Sequence, residues 1–175
     1  TLITSDEELD LAMREADVAI RLRQPTQPDL IQRKLFSVHF HAYASPDYLK
    51  RFGTPRTHED LDSHRIILLG GGIVPAHLQN RRWLLEVSRD GKGPRIPHLI
   101  INNILGVLRA CQRGRGIAML PDYLVEENGG LVQLFGEAEA PALDAYFVYP
   151  EELKTVARVQ AFRDFLVVNA QRWAF

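Results

Sequence analysis

A helical stripe of apolar residues stands directly before the run from Gly114 to Pro121. The residues spaced on one helical face are Ile104, Val107, Leu108 and Cys111. Gly114 follows where a left-handed C-terminal cap is expected, and residues 117–120 then form a short apolar run typical of a buried strand. A helix, a glycine cap and a buried strand are half of a βαβ unit, so the pattern predicts an α/β fold.

Other apolar runs predict the remaining strands and helices. Strands are predicted at 17–21, 35–44, 66–69, 83–87, 95–101, 131–135 and 146–149. Helices are predicted behind Ser45 and Thr57, near Tyr123, and at the end of the chain, where Val156, Val159, Phe162, Leu166 and Trp173 share one side. The run 35–44 is long for one strand, which suggests a segment that passes from one sheet to another.

The beginning of the chain predicts that the sequence is a fragment. Leu2 and Ile3 are predicted as the tail of a strand. Ser5 and Glu8 form a capping box for a helix over 9–16. The chain therefore begins on what would be the second strand of a sheet.

Composition and charge exclude several classes of protein. Basic and acidic residues number 21 and 22, which gives a net charge of −1 and no electrostatic case for nucleic acid or membrane as a bulk partner. No apolar run approaches the ~20 residues of a membrane span, and no signal peptide is expected from the first residues. The single cysteine, Cys111, lies on an apolar helix face, which is consistent with a reducing cytoplasm.

No catalytic, metal or cofactor site is predicted. The serines lack a Gly-x-Ser-x-Gly frame, and the triplet at 70–72 lacks the following residues of a phosphate loop, so we expect a turn there. His39 and His41 share one strand face, but no Cys, Asp or Glu stands near them at ligand spacing. The favoured role for these histidines is to line the segment that passes from one sheet to the other.

Several segments together resemble the effector-binding domain of LysR-type transcriptional regulators. They are Ala16-Asp17-Val18-Ala19-Ile20-Arg21, the block 44–64 that begins Ala-Ser-Pro-Asp-Tyr-Leu, the Gly-x-Gly-Ile-x-x-Leu-Pro run from Gly114, Gly130-Leu131-Val132, and Val159-x-x-Phe162-x-x-Phe165-Leu166. They keep the family's order and spacing over nearly the whole chain. The departures are residues 22–24, where a glycine is common, and the glycine triplet.

The resemblance implies an α/β fold of the type 2 periplasmic-binding-protein kind, with two lobes, two crossing strands and a ligand between the lobes. Lobe one would hold 1–36 and 150–175, lobe two 44–144, and the crossings 37–43 and 145–149. The first strand and first helix of lobe one would be missing. The winged helix-turn-helix that precedes this domain in the family would also be absent.

The residues expected to bind the effector are Arg21, His41, Ile101, Asn102, Asn103, Pro121 and Tyr149. Asn102 and Asn103 precede a helix whose free amides attract an anion, although asparagine is also simply a good N-cap. Arg21 ends a strand, where a guanidinium suits a carboxylate, and is otherwise a surface arginine.

The resemblance implies an effector-sensing regulatory domain, not an enzyme, that binds a small, anionic, carboxylate-bearing metabolite. The expected partners are this effector and further copies of the chain, paired antiparallel. DNA would be contacted only through the absent helix-turn-helix, and no membrane partner is expected. The alternatives left open are a periplasmic-type solute-binding protein and an enzyme that uses the same cleft.

Overall fold

The computed structural model describes residues 1–5, 9–70, 82–136 and 142–170. Strands and helices alternate along it, so the α/β prediction is confirmed. The chain divides into two compact units, of which the first comprises Thr1–Val38 and Ala142–Phe175 and the second His39–Pro141. The boundaries predicted for the lobes and crossings stay a prediction.

Unit one is built around two antiparallel strands. Strand β1 (Ala19–Arg21) pairs with β7 (Ala142–Pro150), and Ile20 stands opposite Phe147. Strand β2 (Leu30–Ala44) neighbours β7, and a 3₁₀ turn (Glu151–Leu153) leads from β7 towards the last helix, α5 (Ala157–Ala170). The buried apolar residues of this unit cluster around Phe147, Tyr149, Val159 and Leu166.

Unit two contains a mixed sheet. Its strands are the second part of β2, then β3 (Ile66–Leu69), β4 (Leu99–Ile101), β5 (Ile117–Pro121) and β6 (Val132–Leu134). Their spatial order is β6-β2-β5-β3-β4. The neighbours β5, β3 and β4 run parallel, whereas β2 is antiparallel to β5 and β6.

Helices of unit two contribute to two separate clusters of buried apolar side chains. The first cluster contains residues of α1 (Pro46–Phe52), of a 3₁₀ helix (Glu59–Ser63) and of the short α2 (Trp83–Glu86). The second contains residues of α3 (Ile104–Gln112) and α4 (Asp122–Asn128), packed against Tyr43 and the strands. Helices that cover a mixed sheet with parallel neighbours β5, β3 and β4 are the layered arrangement expected of an α/β chain.

Gly114 and Gly116 are each required for a different structural reason. Gly114 ends the helix with φ +67°, as the cap prediction requires. A Cβ on Gly116 would lie 2.5 Å from the carbonyl oxygen of Arg65, and the amide of Ile117 donates to that oxygen at 2.8 Å. Gly116 therefore permits β5 to pass this close to the start of β3.

Other predicted features are confirmed by their contacts. Ser45 caps α1 by accepting a hydrogen bond from the amide of Tyr48, and Asn103 caps α3 in the same way. Cys111 is buried in the core. The strand predicted at 35–44 is present and begins earlier than expected, since β2 spans Leu30–Ala44.

The predicted strand at 83–87 is wrong, because Trp83–Glu86 forms the helix α2. Leu84 and Leu85 are both buried, a pair that the strand alternation cannot accommodate on one face. The amide of Val87 closes the turn on Trp83, and the guanidinium of Arg95 holds the carbonyls of Leu84 and Val87. These carbonyls are therefore not available to a strand ladder.

The predicted strand at 95–101 is reduced to Leu99–Ile101. Ile96 is 91% exposed, and Pro97 has no amide with which to join a ladder. The only part of this segment that pairs with β3 is therefore its end.

The predictions for the first residues are also wrong within the described part of the chain. Residues 11–14 form turns instead of a helix. The carboxylate of Asp10 caps the amides of Ala12 and Met13, but Arg14 adopts a left-handed φ of +59° and ends the turn there. Leu2 and Ile3 are exposed and belong to no strand. The predicted roles of Glu8, Gly71, Gly72 and Trp173 lie outside the described residues.

Candidate functional site

The parallel strands of unit two end at one edge of its sheet. Leu69, the last residue of β3, is in register with Ile101, the last of β4, and Pro121 at the end of β5 stands opposite Phe40 of β2. The carboxyl edge of parallel strands is where α/β sheets bind ligands. Five of the seven predicted site residues lie at this edge or directly beside it: His41, Ile101, Asn102, Asn103 and Pro121.

The start of α3 adds a helix N-terminus to this edge. Asn103 is extended, with φ −137° and ψ 129°, and its side-chain oxygen accepts from the amide of Gly106 at 3.1 Å. A Cβ on Gly106 would lie 2.8 Å from Cγ2 of Ile101, so glycine lets the first turn of the helix approach the end of β4. The remaining first-turn amides and the helix dipole favour an anion here.

A histidine, a carboxylate and a phenol meet at the same edge. Nδ1 of His41 lies 2.8 and 2.9 Å from the two carboxylate oxygens of Asp122, the first residue of α4. The hydroxyl of Tyr43 donates to one of these oxygens at 2.9 Å. The rings of His41 and Tyr43 lie edge to face with their centroids 6.4 Å apart.

The second ring nitrogen of His41, Nε2, has a different environment from Nδ1. The His41 side chain is nine-tenths buried, and within the described parts of the chain its Nε2 has no hydrogen-bond partner. Because Asp122 takes the Nδ1 hydrogen, neutral His41 presents Nε2 as an acceptor. This arrangement is a carboxylate–imidazole pair with one unused position.

Burial raises the pKa of Tyr43 well above its ordinary value, and its hydrogen bond to Asp122 raises the pKa further. The Tyr43 phenol therefore stays protonated and continues to donate to Asp122 at all physiological pH values. This donor helps to fix the carboxylate that orients His41.

A small apolar pocket lies on the opposite face of β2, the face of Phe40 and Ala42. Its lining residues are Phe40, His41, Ala42, Trp83, Met119, Leu134, Phe135 and Gly136, and its volume is about 10 Å³. This volume is about enough for one water molecule. The rings of Trp83 and Phe135 both pack on His58, with centroid distances of 5.1 and 4.7 Å.

The other two predicted site residues belong to unit one. Arg21 is buried, and its guanidinium donates to the side-chain oxygen of Gln27 at 3.1 Å and to the carbonyl of Leu9 at 3.0 Å. Tyr149 is buried in the apolar cluster of unit one beside Phe147. The effector contacts predicted for these two residues stay predictions.

Within the described residues, no group of three or more His, Cys, Asp or Glu side chains could hold a metal ion. Among the same residues, no helix is long and apolar enough to span a membrane. Burial raises the pKa of the Cys111 thiol to about 12, and its sulfur donates to the carbonyl of Tyr43 at 3.2 Å. Cys111 is thus a packed core residue with an unreactive thiol.

Sequence reasoning missed Asp122 and Tyr43. The alternation along β2 places Tyr43 on the same face as His41, which is a signal that could have found it. Asp122 had no such signal, because its contact with His41 joins residues 81 positions apart.

The chain is similar to a known family of proteins. A family model described as the LysR substrate binding domain matches residues 1–171. The transcriptional regulator CrgA of Neisseria meningitidis serogroup C is 29% identical over 171 residues, which cover 95% of this chain and 56% of that protein. The chain thus spans about half the length of the curated relatives it matches.

Solved structures of such regulators are similar as well. The regulatory domain of CrgA from Neisseria meningitidis matches with a TM-score of 0.77 at 27% identity, covering 95% of this chain and 81% of that one. The full-length virulence activator AphB of Vibrio cholerae matches with a TM-score of 0.72 at 27% identity, covering 97% of this chain and 57% of that one. The resemblance stated from the sequence motifs is therefore confirmed.

Proposed function

The chain belongs to the LysR substrate-binding domain family, and from this premise we propose that it senses a small anionic metabolite for a LysR-type transcriptional regulator. The relatives are named as transcriptional regulators. We place the effector at the carboxyl edge of unit two, and the effector contacts predicted for Arg21 and Tyr149 belong to the same proposal. The role is regulatory and not catalytic.

One observation carries this proposal. The ends of β3, β4 and β5 and the start of α3 come together at one edge, and the first amides of the helix point out of its N-terminus there. These amides would bind the carboxylate of the effector through charge-assisted hydrogen bonds. Asn102 and Asn103 are exposed beside them.

The regulator would act as a homo-oligomer and contact DNA through a helix-turn-helix outside this sequence. Several apolar side chains around the edge strand β4 are exposed and support self-association: Ile96, Leu99, Ile100 and Leu105. Because a regulator works where DNA is, the proposal includes a cytoplasmic location. Sedimentation of this chain at high micromolar concentration tests the oligomer, and a strict monomer would count against it.

The anion site is tested with two substitutions of one residue. Asn103→Asp keeps a good N-cap but adds a negative charge beside the proposed carboxylate, whereas Asn103→Ser keeps the cap without the charge. Small carboxylates and their neutral amides are screened by thermal shift, since a ligand that binds the folded state raises its stability. The best carboxylate is then measured by calorimetry.

We expect the carboxylate to bind better than its amide. Asn103→Asp should weaken it by about tenfold or more, as expected for a like charge close to the site, and Asn103→Ser should bind nearly as wild type does. Equal binding to wild type and Asn103→Asp, with both folded, would remove the start of α3 from the site.

A further inference from the structure

We propose that Nε2 of His41 accepts a hydrogen bond from the effector, and that the effector is therefore a carboxylate which also carries a hydroxyl group. This inference rests on the proposed function and adds the second recognition element. It follows from the side chains that hold His41 and from the position of His41 in unit two.

The direction of the hydrogen bond is set by Asp122. Both carboxylate oxygens lie within 2.9 Å of Nδ1, and a carboxylate can only accept. The ring hydrogen of neutral His41 therefore stays on Nδ1, and Nε2 carries the lone pair. The hydroxyl of Tyr43 also donates to Oδ1 of this carboxylate, which restricts how the His41–Asp122 pair can reorient.

The unused acceptor is a place where a ligand gains specificity. The His41 side chain is nine-tenths buried, and among the residues described its Nε2 meets no donor. Leaving a buried acceptor unpaired costs free energy, and a hydroxyl hydrogen removes that cost. A site with such an acceptor discriminates strongly against an analogue that lacks the donor.

His41 and the start of α3 lie on the same side of the sheet of unit two. His41 and Tyr43 share one face of β2, because alternate residues of a strand do. Tyr43 packs in the apolar cluster that contains Val107 and Leu108 of α3. An effector at this edge can thus meet an anion site and a hydrogen-bond acceptor on one face, which fits a hydroxycarboxylate.

The first test requires no ligand. The 175-residue chain is labelled with ¹⁵N-histidine, and long-range ¹H–¹⁵N spectra near pH 7.5 report which ring nitrogen of each histidine carries hydrogen. The signals of His41 are assigned by their loss in His41→Asn. We expect hydrogen on Nδ1 and a bare Nε2; hydrogen on Nε2 alone or on both nitrogens would overturn the inference.

The second test uses matched acids. Lactate is compared with propionate, and 3-hydroxybenzoate with benzoate, by calorimetric titration of wild type and His41→Asn. The asparagine amide can still donate to Asp122 from the position of Nδ1 but offers nothing at the position of Nε2. We expect the hydroxylated member of one pair to bind wild type about tenfold more tightly, and this advantage to vanish in His41→Asn.

The outcomes separate the two proposals. If both members of each pair bind wild type equally, or if the hydroxyl advantage survives in His41→Asn, the inference is wrong while the anion site stands. If none of the acids binds, the anion site of the proposed function fails with it. Folding of His41→Asn is checked by circular dichroism, and the preference of wild type for the hydroxylated acid decides the inference if the variant does not fold.

Discussion

Two buried polar side chains of unit two, Arg95 and His41, are both largely withdrawn from solvent but differ in how completely they are bonded. Arg95 uses all its nitrogens: it donates to Asp62 at 2.6 Å and to three backbone carbonyls at 2.8–3.2 Å, those of His58, Leu84 and Val87. His41 uses Nδ1, whereas Nε2 has no partner in the described part of the chain.

The difference distinguishes a structural group from a candidate binding group. The Arg95 guanidinium uses four of its five N–H donors to fix the loop around α2 to the 3₁₀ helix. A buried acceptor without a donor contributes a cost to the folded state. Such a cost is consistent with a position retained for recognition, and the predictions below test that contrast.

The largest effect is expected from Arg95→Ala. The substitution leaves buried carbonyls of the α2 segment without a donor, and unpaired buried polar groups are among the few causes of large destabilisation. We expect a loss of about 3 kcal/mol in the free energy of unfolding, measured by urea denaturation. His41→Asn should lose much less.

Arg89→Ala is the matched control for Arg95. Arg89 also pairs with Asp62, at 2.8 Å, but its side chain is partly exposed. We therefore expect only a small change in the denaturation midpoint. If Arg95→Ala and Arg89→Ala shift the midpoint equally, the bonding of Arg95 does not hold this segment.

The next effect concerns Arg21, whose bonds to Gln27 and Leu9 resemble those of a structural arginine. If Arg21 also contacts the effector, Arg21→Ala should weaken the best carboxylate by roughly 1.5–3 kcal/mol in calorimetric titration. Arg89→Ala serves as the distant control. Unchanged affinity in a folded Arg21→Ala chain would place Arg21 with Arg95 among the structural residues.

A smaller effect is expected from Tyr43→Phe, which removes the donor to Asp122. We expect a loss of about 1 kcal/mol at pH 7. The pKa of Tyr43 is raised in the folded state, so its contribution to stability is complete below about pH 10, the ordinary tyrosine pKa, and is lost as the pH rises further.

The difference in the free energy of unfolding between wild type and Tyr43→Phe, measured by urea titration, should therefore become smaller above pH 10. Burial also raises the pKa values of Tyr48 and Tyr123, but both are present in the two proteins and cancel in the difference. A gap that widens with pH would contradict the assignment.

The smallest change in stability is expected from Gly106→Ala. Alanine favours a helix by up to about 1 kcal/mol over glycine, but the new Cβ would lie 2.8 Å from Cγ2 of Ile101, the branch methyl of a stiff β-branched side chain. Stability should change little, but the start of α3 must shift and carboxylate binding should fall. Gly93→Ala, where nothing lies within 4 Å, should alter neither; unchanged binding in Gly106→Ala would show that the site tolerates this shift.

Much of the fold could be predicted because its signals are local. The cap at Ser45 and the cap at Asn103 depend on residues within three positions, and the glycine cap at Gly114 depends on backbone conformation alone. The strand predicted at 83–87 failed, because Arg95 and Asp62, both distant in sequence, decide how its carbonyls are bonded.

The same difference between local signals and long-range contacts applies to the candidate site. By itself the sequence determined the family, the turn at Asn102 and Asn103, and the expectation that His41 lies near the ligand, because short-range motifs and strand alternation carry that information. Only the tertiary structure decided that Asp122 fixes one nitrogen of His41 and that, among the residues the structure describes, the other nitrogen meets no partner. That contact joins β2 to the start of α4, and a hydrogen bond between residues 81 positions apart leaves no periodic signal in a single sequence.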